Sequence, residues 1–335
     1  MVVGAGPAGL CAAWYARKRG WEPLIVDAGC DVGGAWQRMD PGMKCLSPRK
    51  NDCMPDGRIP NNAGAVATAA DVVDMLTAFQ RDSAFELHLN ARVETVEKHK
   101  HGFRLLVAGE SMIARRLVAA TGEFGAPRWP NMPGLDLYAS EHASTLDRSS
   151  VQVDERVVVV GSGNSGAEVA LALVARGAQV TMSCRTPLRT QWHVPGFLTQ
   201  VGWKLSGVPL RYQPNRGGCR DKVPVQGSEL KSAVDSGLIR TVGETKALVA
   251  GGVLVESETF VPADRVVFCT GYLRDDAWLG RLVERDDSGF PVHDDGLIPG
   301  VPGLAVVGLP CLRTWRSGFL RGFSADASAV IGRMV

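Results

Sequence analysis

"MVVGAGPAGL" (residues 1–10) decides the fold of this chain. Gly4, Gly6 and Gly9 form a G-x-G-x-x-G, a weak signal alone because glycine supplies 39 of the 335 residues. The neighbours give it meaning. Pro7 and Ala8 lead into Leu10–Arg19, a run of helix formers ending in cations and stopped by Gly20. Pro23–Asp27 then reads as a buried parallel strand that ends in a carboxylate. The sequence predicts a βαβ unit. Gly4 permits the tight turn, Gly6 lets a pyrophosphate approach the backbone, and Gly9 lets helix and strand pack closely. The free N–H groups of the helix N-terminus face the phosphates. Asp27 accepts hydrogen bonds from a pair of ribose hydroxyls. Only Met1–Val3 precede the loop, so a native start a few residues earlier is expected.

The motif occurs twice. In "RVVVVGSGNSGAEVALALVARGAQVTMSCR" (residues 156–185), Val157–Val160 form the strand and Gly161, Gly163 and Gly166 the loop. Ala167–Arg176 form the helix, Gly177 its stop, and Gln179–Ser183 the next strand. Two complete units predict an α/β protein with two Rossmann-like dinucleotide-binding domains. Their rims differ. Where the first copy has Asp27, the second has Cys184, flanked by Ser183 and Arg185. An acid there favours a free 2′-hydroxyl. A guanidinium and a hydroxyl favour a 2′-phosphate. The first site therefore suits an adenosine with free ribose hydroxyls and the second NADPH. A solvated surface role is the alternative for Arg185.

Composition bounds the function. The chain is 45% hydrophobic and 21% charged, enough for about two domains with sizeable cores. Its net charge of +2 points to neither nucleic acid nor an anionic membrane. No apolar run approaches the ~18 residues of a membrane span, and no signal peptide is expected before the loop. Eight cysteines are scattered without a C-x-x-C, and six histidines lack metal spacing. A cytoplasmic, metal-free protein with buried or incidental thiols is expected.

Further along comes Gly33-Gly34-Ala35-Trp36, and with it the chain resembles the flavin-containing monooxygenases, flavoproteins with two dinucleotide-binding domains. Residues 117–134 ("LVAATGEFGAPRWPNMPG") look like the A-T-G strand and Pro-rich crossover of that family. Residues 159–168 ("VVGSGNSGAE") look like its NADPH loop, 266–272 ("VVFCTGY") like its F-A-T-G-Y, and 301–310 ("VPGLAVVGLP") like its closing strand. The ordered set is specific; each piece alone is not. The family's F-x-G-x-x-x-H survives only as Tyr138, Ser140 and His142 with shorter spacing. The chain looks like a compact bacterial type. It lacks the C-x-x-C of the related thioredoxin reductases.

The resemblance implies the domain plan: a first FAD segment over 1–125, a crossover over 126–152, an inserted NADPH domain over 153–264 and a returning FAD segment over 265–335. A helix N-capped by Asp71 is expected at 71–80, and another at 318–334. Strands are expected at 93–97, 102–107 and 116–120. Two irregular stretches, 37–66 and 186–228, are expected to border the substrate pocket. The implied FAD contacts are Gly4, Gly6, Pro7, Ala8, Gly9, Asp27, Ala28, Gly34, Ala35, Trp36, Val93, Thr121, Gly122 and Gly308. The implied NADPH contacts are Gly161, Gly163, Asn164, Ser165, Gly166, Ser183 and Arg185; Thr270 and Gly271 are implied cofactor contacts on the returning FAD segment.

As the resemblance implies, NADPH reduces FAD. The reduced flavin then meets O₂ as a C4a-(hydro)peroxyflavin and oxygenates an amine nitrogen or sulfur of a small molecule. The stretch "CLSPRKNDCMP" (45–55) corresponds to the family loop beside the flavin, with Asn51 as the side-chain candidate and Ser47 as runner-up. Turn chemistry explains Asn51 equally well. His193 follows the second site. Two other readings stay open: an NADPH-dependent flavin reductase passing electrons to a protein or quinone, and a nucleotide-bound redox sensor without turnover. Monomer or homodimer is also left open.

Overall fold

The computed structural model describes residues 1–61, 64–137, 140–186, 188 and 228–335. They fall into two compact units. The first holds residues 1–126 and 273–335; the second holds 127–186, 188 and 228–272.

The first unit begins with β1 (Val2–Val3), α1 (Pro7–Lys18) and β2 (Leu24–Val26). An antiparallel pair follows, β3 (Lys44–Pro48) and β4 (Val66–Thr68). Next come α2 (Ala69–Ser83) and β5 (Glu86–His88). A meander of β6 (Val93–His99), β7 (Gly102–Val107) and β8 (Glu110–Ala114) precedes β9 (Leu117–Ala119) and β10 (Ala126–Pro127). The second unit contains β11 (Glu141–His142), β12 (Arg156–Val160), α3 (Asn164–Ala175), β13 (Gln179–Ser183), α4 (Ser228–Asp235) and β14 (Ile239–Val242). It continues with a meander of β15 (Thr245–Val249), β16 (Gly252–Val255) and β17 (Thr259–Pro262), then β18 (Arg265–Phe268) and β19 (Tyr272–Leu273). The chain ends in the first unit with β20 (Leu304–Val306) and α5 (Leu320–Arg333).

Each unit is built on a five-stranded sheet, ordered β20-β9-β1-β2-β5 in the first and β11-β18-β12-β13-β14 in the second. All the pairings within both sheets are parallel. The plan is repeated: strand, helix, strand, third strand, antiparallel meander, and a strand returning beside the first. The apolar run Val157–Val160 is buried throughout because helices and loops cover both faces of such a sheet. Leu10, Ile25, Phe79, Leu105 and Leu117 fill the first core, and Leu173, Met182, Leu230 and Ile239 the second.

The expected domain boundary at 264/265 moves. β18 lies between β11 and β12 in the second sheet, so residues 265–272 belong to the second unit, which ends at Tyr272. The expected crossover contributes β11 to that sheet. The helix expected at 71–80 runs over Ala69–Ser83, and its cap is Thr68 rather than Asp71. Asp71 N–H donates to Thr68 Oγ1 at 3.3 Å, and the Asp71 carboxylate accepts from Thr68 N–H at 2.8 Å. This reciprocal pair makes Asp71 the third helical residue. The meander has a third strand, β8, that the sequence reading did not include, and the returning strand expected at 116–120 is β9 of the parallel sheet. Cys11, Cys30, Cys45, Cys53, Cys184 and Cys269 are free thiols, as expected, but Cys311 is disulfide-bonded, against the expectation of thiols throughout.

Candidate functional site

The first glycine loop is fixed by close packing at the carboxyl end of β1. Gly4 has φ +115°, and a Cβ there would lie 2.5 Å from the Ala120 carbonyl oxygen. A Cβ on Gly9 would lie 1.9 Å from Gly4 O. These approaches need glycine for reasons of space as well as angle. α1 starts with Pro7 at its N-terminus, and Gly6 provides no side-chain cap, so the N–H groups of its first turn remain for a ligand. Gly34 packs against Gly6: its Cβ would stand 3.2 Å from Gly6 Cα. Gly33 N–H donates to Ala5 O at 3.0 Å, which ties the Gly34-Ala35-Trp36 turn to the loop.

Asp27 follows β2 at the same edge. Its Oδ2 accepts from Ala5 N–H at 2.5 Å and its Oδ1 from Gly29 N–H at 2.6 Å. Each oxygen keeps a further lone pair for a ribose hydroxyl. Thr121 and Gly122 follow β9, and with Val307 and Leu309 they line a cleft. Gly308 fits against α1, since a Cβ there would stand 2.7 Å from the Ala8 Cβ. Ala28 is exposed beside Asp27, and Val93 is buried at the start of β6.

The second loop repeats this clamp. Gly161 has φ +124°, and its Cβ would lie 2.4 Å from Cys269 O. A Cβ on Gly166 would lie 2.1 Å from Gly161 O. Gly163 precedes α3, offers no side-chain cap, and has open space where a Cβ would stand. Asn164 and Ser165 form the first turn of α3. Cys269-Thr270-Gly271 therefore stands to this loop as Ala120-Thr121-Gly122 stands to the first. Thr270 and Gly271, expected on the returning FAD segment, belong to the second unit. The Thr270 hydroxyl donates to Arg128 O at 2.5 Å. Gly271 O accepts from Arg128 N–H and faces His142 Nε2, both at 3.0 Å. His142 is fully buried, and burial holds its imidazole below its ordinary pKa. Tyr138, His193 and the stretch 189–227 lie outside the described residues.

Ser183 does not stand at the rim as expected. It is buried; its hydroxyl donates to Gly243 O at 2.9 Å and pairs with Thr245 Oγ1 at 2.7 Å, while Thr245 N–H donates to it at 2.9 Å. These bonds leave the hydroxyl no proton for a phosphate. Arg185 is exposed. Glu244 is near enough to feel its charge, and the Glu244 carboxyl is held below its usual range by its bond to Lys246 first and by Arg185 as a lesser cause.

In the 45–55 stretch the hydrogen-bond partner of Ser47 is Asp52. Asn51 is half-buried at the end of a 3₁₀ turn, Arg49–Asn51. The next residue, Asp52, is fully buried, and its Oδ1 accepts from Ser47 Oγ–H at 2.6 Å. Burial pushes the Asp52 carboxyl up to about 6, against the opposing pull of Ser47 and of the Arg321 guanidinium. Nothing local in "RKNDC" marks Asp52 as buried, so sequence reading passed over it.

Residues 1–196 match the family model described as pyridine nucleotide-disulphide oxidoreductase. The chain belongs to that family. It is also similar to an uncharacterised CzcO-like oxidoreductase of Geobacillus kaustophilus, 25% identical over 99% of this chain and 96% of that protein. Among solved structures it resembles a flavin-containing monooxygenase from Stenotrophomonas maltophilia, with TM-score 0.80, 23% identity, and coverage of 99% of this chain and 96% of that one. It also resembles the bacillithiol disulfide reductase Bdr of Bacillus cereus, with TM-score 0.76, 21% identity and the same coverage. Family and neighbours agree on an oxidoreductase with paired dinucleotide folds, as the sequence resemblance implied. Among the described residues no helix is long and apolar enough to cross a membrane.

Proposed function

We propose that the protein is an FAD- and NADPH-dependent monooxygenase that oxygenates an amine nitrogen or a sulfur of a small molecule. The observation that carries this reading is the pair of clamped glycine loops with unlike rims: the Asp27 carboxylate at the first, the exposed Arg185 at the second. The residues fit the two cofactors. Gly4, Gly6, Gly9 and the Gly33–Gly34 turn leave the backbone open for a pyrophosphate. Asp27 is held by two N–H groups in a position to accept from a ribose. The bound flavin supplies hydride acceptance and oxygen activation. Gly161, Gly163 and Gly166 present the start of α3 to the nicotinamide cofactor's phosphates, and Arg185 supplies the charge for a 2′-phosphate.

A disulfide reductase is the alternative raised by the Bdr likeness. It needs a thiol poised as thiolate near the flavin loop. Cys11 and Cys45, both in the first unit, are buried, and burial pushes Cys11 far up and Cys45 to about 12. These two thiols do not suit that chemistry; the exposed Cys30 and half-buried Cys53 of the same unit are the ones the reductase reading would have to use. The test is purification followed by assay in air. Bound flavin, NADPH oxidation dependent on O₂, and N-oxide or S-oxide products from a panel of amines and sulfides are expected. NADPH oxidation that yields only peroxide with every amine and sulfide, but reduces a small disulfide, would replace the monooxygenase with the reductase.

A further inference from the structure

Asp52 is an acid that the cofactor assignment does not use. The 3₁₀ turn before it folds the chain back, with Asp52 N–H donating to Arg49 O at 3.1 Å. This brings the carboxyl onto β3, where Ser47 donates to Oδ1. The other oxygen, Oδ2, is buried and has no hydrogen-bond donor among the described residues. A carboxylate with one oxygen left bare in a dry site is costly, whereas the neutral acid needs fewer donors. Such an arrangement suits a group that gains and loses a proton.

The position of Asp52 agrees. Its opposing cation, Arg321, is the second residue of α5. The start of α5 is packed against the segment leaving β20: a Cβ on Gly318 would lie 2.9 Å from Pro310 Cα, and one on Gly322 would lie 2.2 Å from Arg316 O. That segment runs on from Gly308, which fits against Ala8. Cys53, the residue after Asp52, and Asp56 act electrostatically on Cys11 of α1, so the stretch that holds Asp52 lies near the helix that opens at the first glycine loop, on the side where ligands of such folds bind. The other titratable groups acting there are the Cys45 thiol on β3, which feels Asp52 and Asp71, and Arg316, which acts on Arg321.

We propose that Asp52 holds, and Ser47 passes on, the proton that the flavin site takes up in each turnover. The inference rests on the flavin assignment above. Oxygenation by NADPH and O₂ places one oxygen in the substrate and releases the other as water. The hydride supplies two electrons and one hydrogen, so one more proton must enter. When hydride enters the flavin site, the Asp52 Oδ1–H bond breaks as Ser47 Oγ takes that proton, and the Ser47 hydroxyl proton passes into the reduced site, to end on the oxygen that leaves as water. Ser47 then donates to the ionised Oδ1, the arrangement in the structure. Solvent water reprotonates Asp52. Neither side chain changes oxidation state, and Asp52 acts through Ser47 as a proton-holding residue.

The test reads equilibrium, not turnover. The midpoint potential of the flavin-loaded protein is measured against pH for the parent, Asp52→Asn and Ser47→Ala. The parent line is expected to change slope near pH 6. Asp52→Asn keeps an acceptor for Ser47 and is expected to lose the break. Ser47→Ala removes a donor that favours the ionised form, so its break moves up by roughly one to two pH units. A second measurement needs no variant: the infrared difference spectrum of the parent on flavin reduction should contain a protonated-carboxyl C=O band that shifts in D₂O. Coincident lines for parent and Asp52→Asn, or the absence of that band, overturn the proposal. A chain that cannot be loaded with flavin overturns the functional reading and this proposal with it.

Discussion

A Cβ on Gly9 would lie 1.9 Å from the Gly4 carbonyl oxygen, and a Cβ on Gly166 would lie 2.1 Å from that of Gly161. Gly4 leans on Ala120 as Gly161 leans on Cys269, with separations of 2.5 and 2.4 Å for the same hypothetical atom. Beyond the clamp the copies part. Asp27 keeps its carboxylate at the first rim, where among the described residues it accepts from two backbone N–H groups. At the second rim Ser183 is turned into the unit, and Arg185 faces solvent beside Glu244. Strand, turn and helix packing fix the clamp. On the proposed assignment, choice of nucleotide depends on a few residues after the second strand, which are free to differ.

The largest effects should come from filling the clamps. Gly9→Ala and Gly166→Ala each force a methyl into backbone that cannot move far, at a cost of about 3 kcal/mol or more. Gly9→Ala is expected to purify with under about a tenth of the parental flavin, by the rule of tenfold per 1.4 kcal/mol. Gly166→Ala is expected to keep its flavin and lose NADPH-driven reduction by ~100-fold. Flavin absorbance and stopped-flow reduction check both. Gly163→Ala sharpens the comparison: nothing stands within 4 Å of the added atom, so thermal stability should hold while nucleotide binding weakens. A Gly166→Ala protein that is reduced at the parental rate would break the equivalence of the two loops.

The rims come next. Asp27→Ala strips a charged acceptor from two N–H groups and from the ribose. Hydrogen bonds to charged groups contribute ~1.5–3 kcal/mol, so flavin affinity should fall roughly ten- to a hundredfold. Arg185→Ala should lower the NADPH/NADH ratio of kcat/KM, nearer tenfold than a hundredfold because solvent and salt screen an exposed guanidinium. Apoprotein titration with FAD and steady-state kinetics with both coenzymes measure these. Parental affinity in the first variant, or an unchanged ratio in the second, would remove the assigned contact.

The loops were legible because a glycine between a strand and a helix has local consequences. Gly4, Gly9, Gly161 and Gly166 stand where the sequence placed them. What sequence did not reveal depends on residues far away. Ser183 is consumed by Gly243 and Thr245, about sixty positions on. Asp52 is an acid in a polar stretch until the 3₁₀ turn folds it onto β3 and Arg321 of α5 comes within reach. The apolar run of β18 says nothing about which sheet receives it; pairing to β12 decides that. The Thr68 cap was overlooked in favour of Asp71, three residues on, although both ends of the capping box are polar residues in the sequence.

The units also differ in their acids. In the first, burial raises Asp52 and Asp326 to about 6 each. In the second, Asp264 is held down at about 2 by its bonds to Arg156. A raised acid adds stability below its unfolded pKa and loses it as pH rises through the folded value. For each of the two buried acids the loss falls between about pH 4 and 6, with a ceiling of roughly 3 kcal/mol. Asp264 has the opposite sign: its contribution is present above the unfolded pKa and fades as pH falls toward 2. Asp52→Asn is therefore expected to gain roughly 1–3 kcal/mol on the parent between pH 4 and 7 in denaturant melts, discounted for relaxation around the site. An equal difference at both pH values would mean that Asp52 stays ionised across the range.

The smallest expected effect tests how the second rim is tuned. Glu244 lies between Gly243 and Thr245, and the Ser183 hydroxyl bonds both neighbours, so the turn carrying this acid is pinned. Its carboxylate is paired with Lys246 and lies within the field of Arg185. A negative charge there opposes a 2′-phosphate and offsets part of the attraction from Arg185. Glu244→Gln keeps the shape and removes the charge. Exposed charge pairs contribute ~0.3–1 kcal/mol, so the NADPH/NADH ratio should rise about two- to fivefold. The Arg185→Ala background separates two routes. If Glu244 acts by repelling the phosphate directly, its replacement raises the ratio there as well. If it acts by weakening Arg185, the gain disappears with the arginine. A ratio that falls in the single variant would place Glu244 on the side of the coenzyme's attraction and reverse the sign assigned to it.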